Sequence, residues 1–340
     1  MKKALLPMAL AAALPMTAMA EISLYGRAHV SLDMLDNGAE YSELNLSSNS
    51  SRLGFKASKE FGDLTAIMQI EQQVDYDNGE AFTSARDTFV GLRGSFGMVR
   101  VGQFDTPFKR ARGPANLFGD QVGDMRNLTR VGDARFDERN PNTIHYQTPK
   151  FGDAQFNVAY SINQNDTATD GASDDALSLS VTYAAGPVDV AAAYETYGSD
   201  HSRGERDGVR LAVGYAVTSE LKLVGFFQAV DYESGDVITA DALTSDVVGV
   251  GAEYKLSPVT RLRGHYFHRS ADADNSDSGL FAVGVEHRLD SDVRVYLNYA
   301  AVDNDDNIGL NPYNQARTTS VPAANGETAS GLSLGFIYDF

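Results

Sequence analysis

Basic side chains recur at alternating positions along several short segments in the first third of the chain. The residues beside them are mostly apolar, so the charged groups would share one face of a β-strand. Guanidinium and ammonium groups along one wall attract anions, and acidic groups opposite them would create a transverse field that discriminates between ions. The positions with this pattern are Arg27, Arg52, Lys56, Arg93 and Arg100.

Three aspartates, Asp105, Asp120 and Asp124, fall in the long connection between two predicted strands, residues 104–140. A connection of this length usually has a function of its own, and its buried-type side chains argue against disorder. Those apolar anchors are Phe104, Phe108, Leu117, Phe118 and Met125. We expect the segment to fold against the basic wall. The alternative is that individual charges pair and only hold the segment in place.

A second basic run lies late in the chain, where Arg261, Arg263 and Arg269 share one face of a predicted strand with His265. These side chains either extend an anion path or offset nearby acidic groups. The pattern leaves both interpretations open.

The elements that carry these charges follow a period of two. Residues 21–34, 177–183 and 292–299 each alternate apolar and polar side chains. Tight turns are predicted at 60–63, 94–97, 150–153, 185–187, 217–220, 256–258 and 289–291. Polar loops are predicted at 35–50, 77–85, 104–140, 164–175, 198–207, 232–245, 270–279 and 303–328. This count predicts about 16 strands.

An even number of antiparallel strands with short turns on one side and long loops on the other is typical of bacterial outer-membrane barrels. The barrel must close, because lipid offers no partner to an open strand edge. A soluble all-β protein is the alternative, although its apolar face would need a second sheet to cover it. We therefore predict an all-β, 16-stranded antiparallel transmembrane β-barrel.

The first 20 residues are predicted to be a signal peptide, with Lys2 and Lys3 before the apolar residues 4–14 and a cleavage site after Ala20. Export would then follow the Sec pathway and leave residues 21–340 as the barrel domain. Removing both lysines moves the formal charge from −18 to −20, which makes nucleic acid an unsuitable partner. The chain contains no cysteine, so no disulfide supports the fold.

Four stretches resemble one known family. They are residues 22–27 (ISLYGR), 89–102 (FVGLRGSFGMVRVG), 139–152 (RNPNTIHYQTPKFG) and 334–340 (LGFIYDF). Together they resemble the general diffusion porins of Gram-negative outer membranes, particularly the anion-preferring branch of β- and some γ-proteobacteria. The tetrapeptide Pro-Glu-Phe-Gly, frequent in the third loop of the enterobacterial branch, is absent here.

The resemblance implies a 16-stranded barrel with its long third loop folded into the lumen. It implies a homotrimer in outer-membrane lipid and lipopolysaccharide that lets ions and small hydrophilic solutes diffuse passively, with a modest anion preference. It also implies that the terminal strand is read by the barrel assembly machinery through Phe336, Tyr338 and Phe340.

Other functions have weaker support. No histidine lies in a Gly-x-Ser-x-Gly or His-Glu-x-x-His context, so we expect no enzyme, cofactor or resident metal. Acidic outer loops could bind divalent cations weakly, but their spacing fits no EF-hand. A plugged or enzymatic barrel, working as an adhesin or hydrolase, remains the alternative. Small inward residues favour an open lumen over a ligand cage, namely Ala212, Gly214, Gly249 and Gly251.

Overall fold

The computed structural model describes residues 20–132, 135–162, 174–233, 237–319 and 321–340. The predicted signal peptide lies outside these residues except for Ala20, so its cleavage stays a prediction. None of the helices in the described part of the chain is long and apolar enough to cross a bilayer.

The described chain is dominated by one antiparallel sheet of strand segments, which are β1 (Glu21–Asp36), β2 (Ser42–Ser48), β3 (Arg52–Phe61), β4 (Leu64–Asp75), β5 (Glu80–Ala85), β6 (Thr88–Gly94), β7 (Gly97–Asp105), β8 (Arg139–Gln147), β9 (Ala154–Ser161), β10 (Ala176–Ala185), β11 (Val188–Tyr197), β12 (Arg206–Ala216), β13 (Leu221–Tyr232), β14 (Ser245–Lys255), β15 (Thr260–Ala271), β16 (Ser278–Arg288), β17 (Val293–Asn304) and β18 (Ala329–Asp339). Short helical elements interrupt the loops, namely α1 (Pro107–Arg110), a 3-10 turn (Gly113–Ala115), α2 (Arg126–Thr129) and α3 (Val237–Leu243).

These segments form a closed barrel of 16 strands. Both β2 and β3 pair with β1, and both β5 and β6 pair with β4, so each pair is one strand with a short break. Closure joins β1 to β18, with Arg27 opposite Asp339 and Asp36 opposite Ser330. The predicted strand number and antiparallel order are confirmed.

Burial along the strands is the inverse of that in a soluble protein. The apolar positions point outward, and Val250 on β14 keeps 61% of its surface exposed. The alternating polar positions point inward and are covered, as at Ser31 on β1 and Asn298 on β17. An outward apolar band with a polar interior is the arrangement that a lipid-embedded barrel requires.

All seven predicted tight turns fall between consecutive strands, whereas the first two predicted loops are mostly strand. The first hairpin continues to Asp36 and resumes at Ser42, and β5 occupies residues 80–85. Every residue of β5 is exposed on both faces. Because neither face of β5 is covered by other residues, its sequence needs no alternation, and a pattern based on alternation cannot detect it.

Residues 106–132 and 135–138, here called the inserted loop, pack against the inward face of the later strands. Phe108 donates its backbone N–H to Ser178 Oγ (3.0 Å), and Gln121 Oε1 accepts from Asn298 Nδ2 (2.7 Å). The predicted anchors Phe104, Phe108, Phe118 and Met125 are buried, and Leu117 almost fully.

Three of the four small inward residues, Ala212, Gly214 and Gly251, lie against this loop. A Cβ placed on Gly251 would lie 3.1 Å from Leu117 Cδ1, and one on Gly214 3.1 Å from the Pro114 carbonyl oxygen. Ala212 belongs to the same apolar cluster. The expectation that these residues keep the lumen open was therefore wrong. The inserted loop fills the space beside Ala212, Gly214 and Gly251, and Phe267 of β15 covers Gly249.

Replacing Val250 by arginine tests the outward face of β14. Because Val250 lies midway along its strand, Val250→Arg should destabilise the barrel by about 2–4 kcal/mol in lipid, the usual effect of a cation at the bilayer midplane. Urea unfolding in phospholipid vesicles measures this change. Val250→Leu is the control and should behave as the wild type, and an equally stable arginine variant would contradict the assignment.

Candidate functional site

A charged cavity of about 280 Å³ lies between the inserted loop and the opposite barrel wall. Its lining is polar almost throughout and combines residues from β3, β4, β7, β8, the break between β5 and β6, and the inserted loop. The basic members are Arg52, Arg86, Lys109, Arg112, Arg126 and Arg139. The others are Glu71, Asp87, Asp105, Asp120 and Ser50.

On the wall side, Glu71 of β4 orients two guanidinium groups. Its carboxylate accepts a hydrogen bond from Arg86 Nε (2.6 Å) and lies 3.8 Å from Arg52 Nε. Tyr25 of β1 donates its hydroxyl to the same carboxylate (2.8 Å). Each charge is thereby held by a partner, which makes its burial tolerable.

Beside this group, Arg139 at the start of β8 bridges two aspartates. Its Nε lies 2.9 Å from Asp87 Oδ1 and 2.9 Å from Asp105 Oδ1. Asp105 also receives Lys109 Nζ at 2.9 Å. The end of β7 is thus tied by charge to both β8 and the first turn of the inserted loop.

Facing them, a tight turn presents Arg126 to the cavity. Asp124 accepts the backbone N–H groups of Asp120 (2.7 Å) and Arg126 (2.9 Å) and also binds the Arg126 guanidinium. Arg126 NH2 reaches Asp120 Oδ1 at 2.7 Å. Burial would raise the pKa of the Asp120 carboxyl, but Arg126 and Arg52 outweigh it and hold that pKa well below its ordinary value. Asp120 therefore stays ionised at neutral pH.

Lys109 is the lining base whose charge is most easily lost. Burial lowers its pKa to about 8, against the opposing attraction of Asp105. The neighbouring cations Arg139, Arg112 and Arg126 add to the depression. The positive charge of the cavity therefore falls as the pH rises through 8.

Comparison with known proteins identifies the barrel. A family model described as Gram-negative porin matches residues 8–307. The chain belongs to the Gram-negative porin family. Family membership places it in the outer membrane.

Several relatives of this porin share about half of its length. The major outer membrane protein P.IB of Neisseria meningitidis serogroup B is 30% identical over 174 residues, 48% of this chain and 51% of the relative. P.IB of Neisseria gonorrhoeae is 28% identical over 176 residues, 48% of this chain and 49% of the relative. The chain thus spans about half the length of the curated relatives it matches.

Solved structures share the fold over nearly the whole chain. The anion-selective porin from Comamonas acidovorans superposes with a TM-score of 0.80 at 22% identity, covering 95% of this chain and 100% of that one. The trimer form of OmpT from Vibrio cholerae gives 0.68 at 19% identity, covering 94% and 99%.

Of the five predicted wall residues in this porin, Arg52 lines the charged cavity. Arg27 is paired with Asp339 (2.5 Å) and lies opposite Arg52 in the pairing of β1 with β3. Lys56 and Arg93 line a second cavity of about 390 Å³, together with Glu21 at the start of β1. The predicted wall residues therefore do not all share one cavity.

Arg100 points inward as predicted but does not reach the charged cavity. It is 4% exposed, and its guanidinium lies 3.9 Å from the centre of the Phe104 ring. Its Nε donates to His145 Nδ1 (3.0 Å). Including it in the constriction was wrong, because Phe104, near the end of β7, covers it.

The predicted acidic residues also divide. Asp105 and Asp120 line the cavity, whereas Asp124 is fully buried and closes the turn that carries Arg126. Asp124 therefore fits the alternative in which a charge pairs and only holds the segment in place.

Of the two interpretations of the second basic run, the structure fits the one in which its side chains are paired with nearby groups rather than lining an anion path. Arg263 donates to the Leu117 carbonyl (2.8 Å), and Arg269 donates to the Ser276 carbonyl (3.1 Å). Arg261 lies 3.2 Å from Glu253 and 3.5 Å from Glu286. Each guanidinium is engaged by backbone or carboxylate oxygens.

The terminal aromatic residues Phe336, Tyr338 and Phe340 lie on the outward face of the closing strand and its end. Phe340 exchanges backbone hydrogen bonds with Gly26, from 2.9 to 3.1 Å. Their role in assembly stays a prediction.

Sequence reasoning missed eight of the eleven lining residues, namely the bases Arg86, Lys109, Arg112, Arg126 and Arg139 together with Ser50, Glu71 and Asp87. Lys109 and Arg112 stand in a short run of bases in the inserted loop, which was a usable signal. Arg126 had none, because loop residues have no fixed facing period, and Arg139 is the first residue of β8, so no preceding alternation indicates its direction.

The pKa of Lys109 can be measured directly. In protein labelled with ¹³C at lysine Cε and held in detergent micelles, the Lys109 signal should titrate with a midpoint near 8. Lys109→Gln should lack that signal and so assigns it. A midpoint at the ordinary lysine value would contradict the buried position of this side chain.

Proposed function

We propose that this porin is an outer-membrane channel for passive diffusion of ions and small hydrophilic solutes, with a modest preference for anions. The observation that carries the proposal is the composition of the charged cavity, whose lining has six basic and four acidic side chains. At neutral pH the surplus of two positive charges favours an anion at this point of the lumen.

The formal charge of the whole chain, −18, does not oppose this preference. Many of its acidic residues lie in the outer loops, for example Asp272, Asp274 and Asp306. Charges beyond about 8 Å are largely screened at physiological salt, so an ion in the cavity responds mainly to the side chains around it. Local charge, rather than net charge, should set selectivity.

The comparisons support the same function. The structural neighbour from Comamonas acidovorans is named as an anion-selective porin, and its fold matches over its entire length. Ion pairs within the lining also suit a channel, because each base keeps a nearby carboxylate and so would bind a passing anion only transiently.

A channel of this kind would act without catalysis or a cofactor. Among the described residues, no group of three or more histidine, cysteine, aspartate or glutamate side chains could hold a metal ion. Weak divalent-cation binding at the acidic outer loops, bridging to lipopolysaccharide, stays a prediction.

A plugged barrel is the second candidate, and one observation favours it. The inserted loop and the last outer loop contribute to a common apolar cluster that includes Leu117, Val122, Tyr313 and Val321. This cluster fills the side of the lumen formed by the later strands. The proposed path therefore runs along the first strands, and conductance separates the two candidates.

We further propose that the protein is exported by the Sec pathway, inserted by the barrel assembly machinery and assembled as a homotrimer. A structural neighbour is described in a trimer form. Native mass spectrometry of the detergent-extracted protein should give three times the mass of the mature chain. A complex of single-chain mass at micromolar concentration would contradict the trimer.

Two arginine variants test the selectivity of the channel. In planar bilayers under a KCl gradient, Arg52→Gln should lower the anion-to-cation permeability ratio by about two-fold, because half of the positive surplus is lost. Arg100→Gln is the matched control: it removes the same charge from the inward face of β7 but from a covered position, and should leave the ratio unchanged.

The wild type decides between the candidate functions. Discrete conductance steps with an anion-directed reversal potential would support the channel. Folded wild-type protein without conductance would contradict it and favour the plugged barrel. Equal ratios for wild type and Arg52→Gln would contradict the role of the charged cavity.

A further inference from the structure

The last outer loop, residues 305–319 and 321–328, is here called the final loop. It lies inside the barrel and contacts the inserted loop. Its residue Tyr313 is fully buried and donates its hydroxyl to the Asp36 carbonyl (3.0 Å). Asn37 of the first hairpin in turn donates to the Pro322 carbonyl (3.1 Å). The final loop is therefore attached to the inner side of the first hairpin.

One buried ion pair fastens this attachment. Arg317 of the final loop pairs with Asp33 of β1, and both side chains are 0% exposed. The next residue, Thr318, donates its N–H to the Ser48 carbonyl (3.1 Å), while the Ser48 N–H donates back to Thr318 Oγ1 (2.9 Å). Such a desolvated pair tolerates little displacement, because moving either charge leaves the other without compensation.

The final loop also forms hydrogen bonds with the inserted loop. Asn127 Oδ1 accepts the backbone N–H groups of Asn314 (3.1 Å) and Gln315 (3.2 Å). The N–H of Gly123 donates to the Pro312 carbonyl (2.7 Å). Gly123 has a positive φ of 93°, and a Cβ there would lie 2.7 Å from Ala282 Cβ, so the backbone is also pressed against the wall.

The segment bound by the final loop carries Arg126, which lines the charged cavity. Asn127 follows Arg126 in α2, and its Nδ2 donates to the Asp124 carbonyl (2.8 Å). Asp124 binds both the backbone and the guanidinium of Arg126. Gln228 of β13 donates to the Thr129 carbonyl (3.0 Å) from the other side. The short helix is thus clamped between the barrel wall and the final loop.

We propose that Asn127 and the Asp33–Arg317 pair are positioning residues for the permeation site: through the final loop they hold Arg126 in the charged cavity. None of the three lines that cavity, so each acts through another residue. The proposal rests on the proposed channel function, and it assigns the selectivity of the pore partly to a loop that contributes no lining residue.

Asn127→Ala is the direct test, because it changes no charge. Removing the shared acceptor should free α2, let Arg126 leave its position and lower the anion-to-cation permeability ratio by about two-fold in planar bilayers. Asn116→Ala is the matched control. It is an amide of the same inserted loop whose Oδ1 accepts no hydrogen bond within the described residues, and it should keep the wild-type ratio.

Hydrogen–deuterium exchange gives a second readout that needs no conductance. In Asn127→Ala and in the double variant Asp33→Asn/Arg317→Gln, which preserves the net charge, the peptide covering residues 120–130 should exchange about three-fold faster or more than in the wild type. Peptides from β10 to β13 should not change, which shows that the barrel remains folded.

The outcomes separate this inference from the channel itself. A conducting wild type with a lower ratio in Asn127→Ala and faster exchange at 120–130 would support it. A conducting wild type with unchanged ratio in folded Asn127→Ala would overturn it and leave the channel intact. A non-conducting wild type would overturn the channel, and exchange unchanged in both variants would overturn the positioning role independently. If Asn127→Ala does not fold, the double variant answers both questions.

Discussion

The constraint on which this structure depends is that every backbone N–H and C=O group at membrane depth needs a partner within the protein. Hydrocarbon offers none, so the strands must pair on both edges and the sheet must close. Closure between β1 and β18 satisfies the last open edge. Once the sheet is closed, the pleat gives each strand one face to lipid and one to the interior, and the inverted burial of apolar and polar residues follows directly.

A barrel of 16 strands encloses more space than the inward side chains can fill, and the inserted loop divides that space into two chemically different halves. Over the later strands, small inward residues such as Ala212 and Gly251 let apolar side chains of the loop pack closely. Over the first strands, the other side of the loop faces charged residues across the cavity. The loop is therefore held by burial on one side and by ion pairs on the other. Buried charges are costly unless paired, and here nearly every base has a carboxylate within 4 Å.

This pairing also explains how a strongly acidic protein can present a basic passage. Carboxylates such as Glu71 orient the guanidinium groups without fully neutralising them, because the bases outnumber the acids around the cavity. Position matters more than number in such a site, since the attraction between charges decays steeply with distance and with exposure to salt. Residues that do not line the cavity can consequently influence its electrostatic field by fixing the position of Arg126.

The sequence by itself determined the fold class, the number of strands, the seven tight turns and the inward direction of residues such as Arg52 and Arg100, because these features follow from a local period of two. It also located the inserted loop, from its length and its apolar anchors. Only the tertiary structure decided which inward charges share a cavity. Phe104 covers Arg100, Asp124 turns back on its own loop, and Arg263 binds a loop carbonyl, whereas Arg126 and Arg139 enter the site. The physical reason is that the direction of a side chain along a strand is set by the local backbone, whereas the path of the inserted loop is set by contacts with residues distant in the sequence, such as that of Gln121 with Asn298.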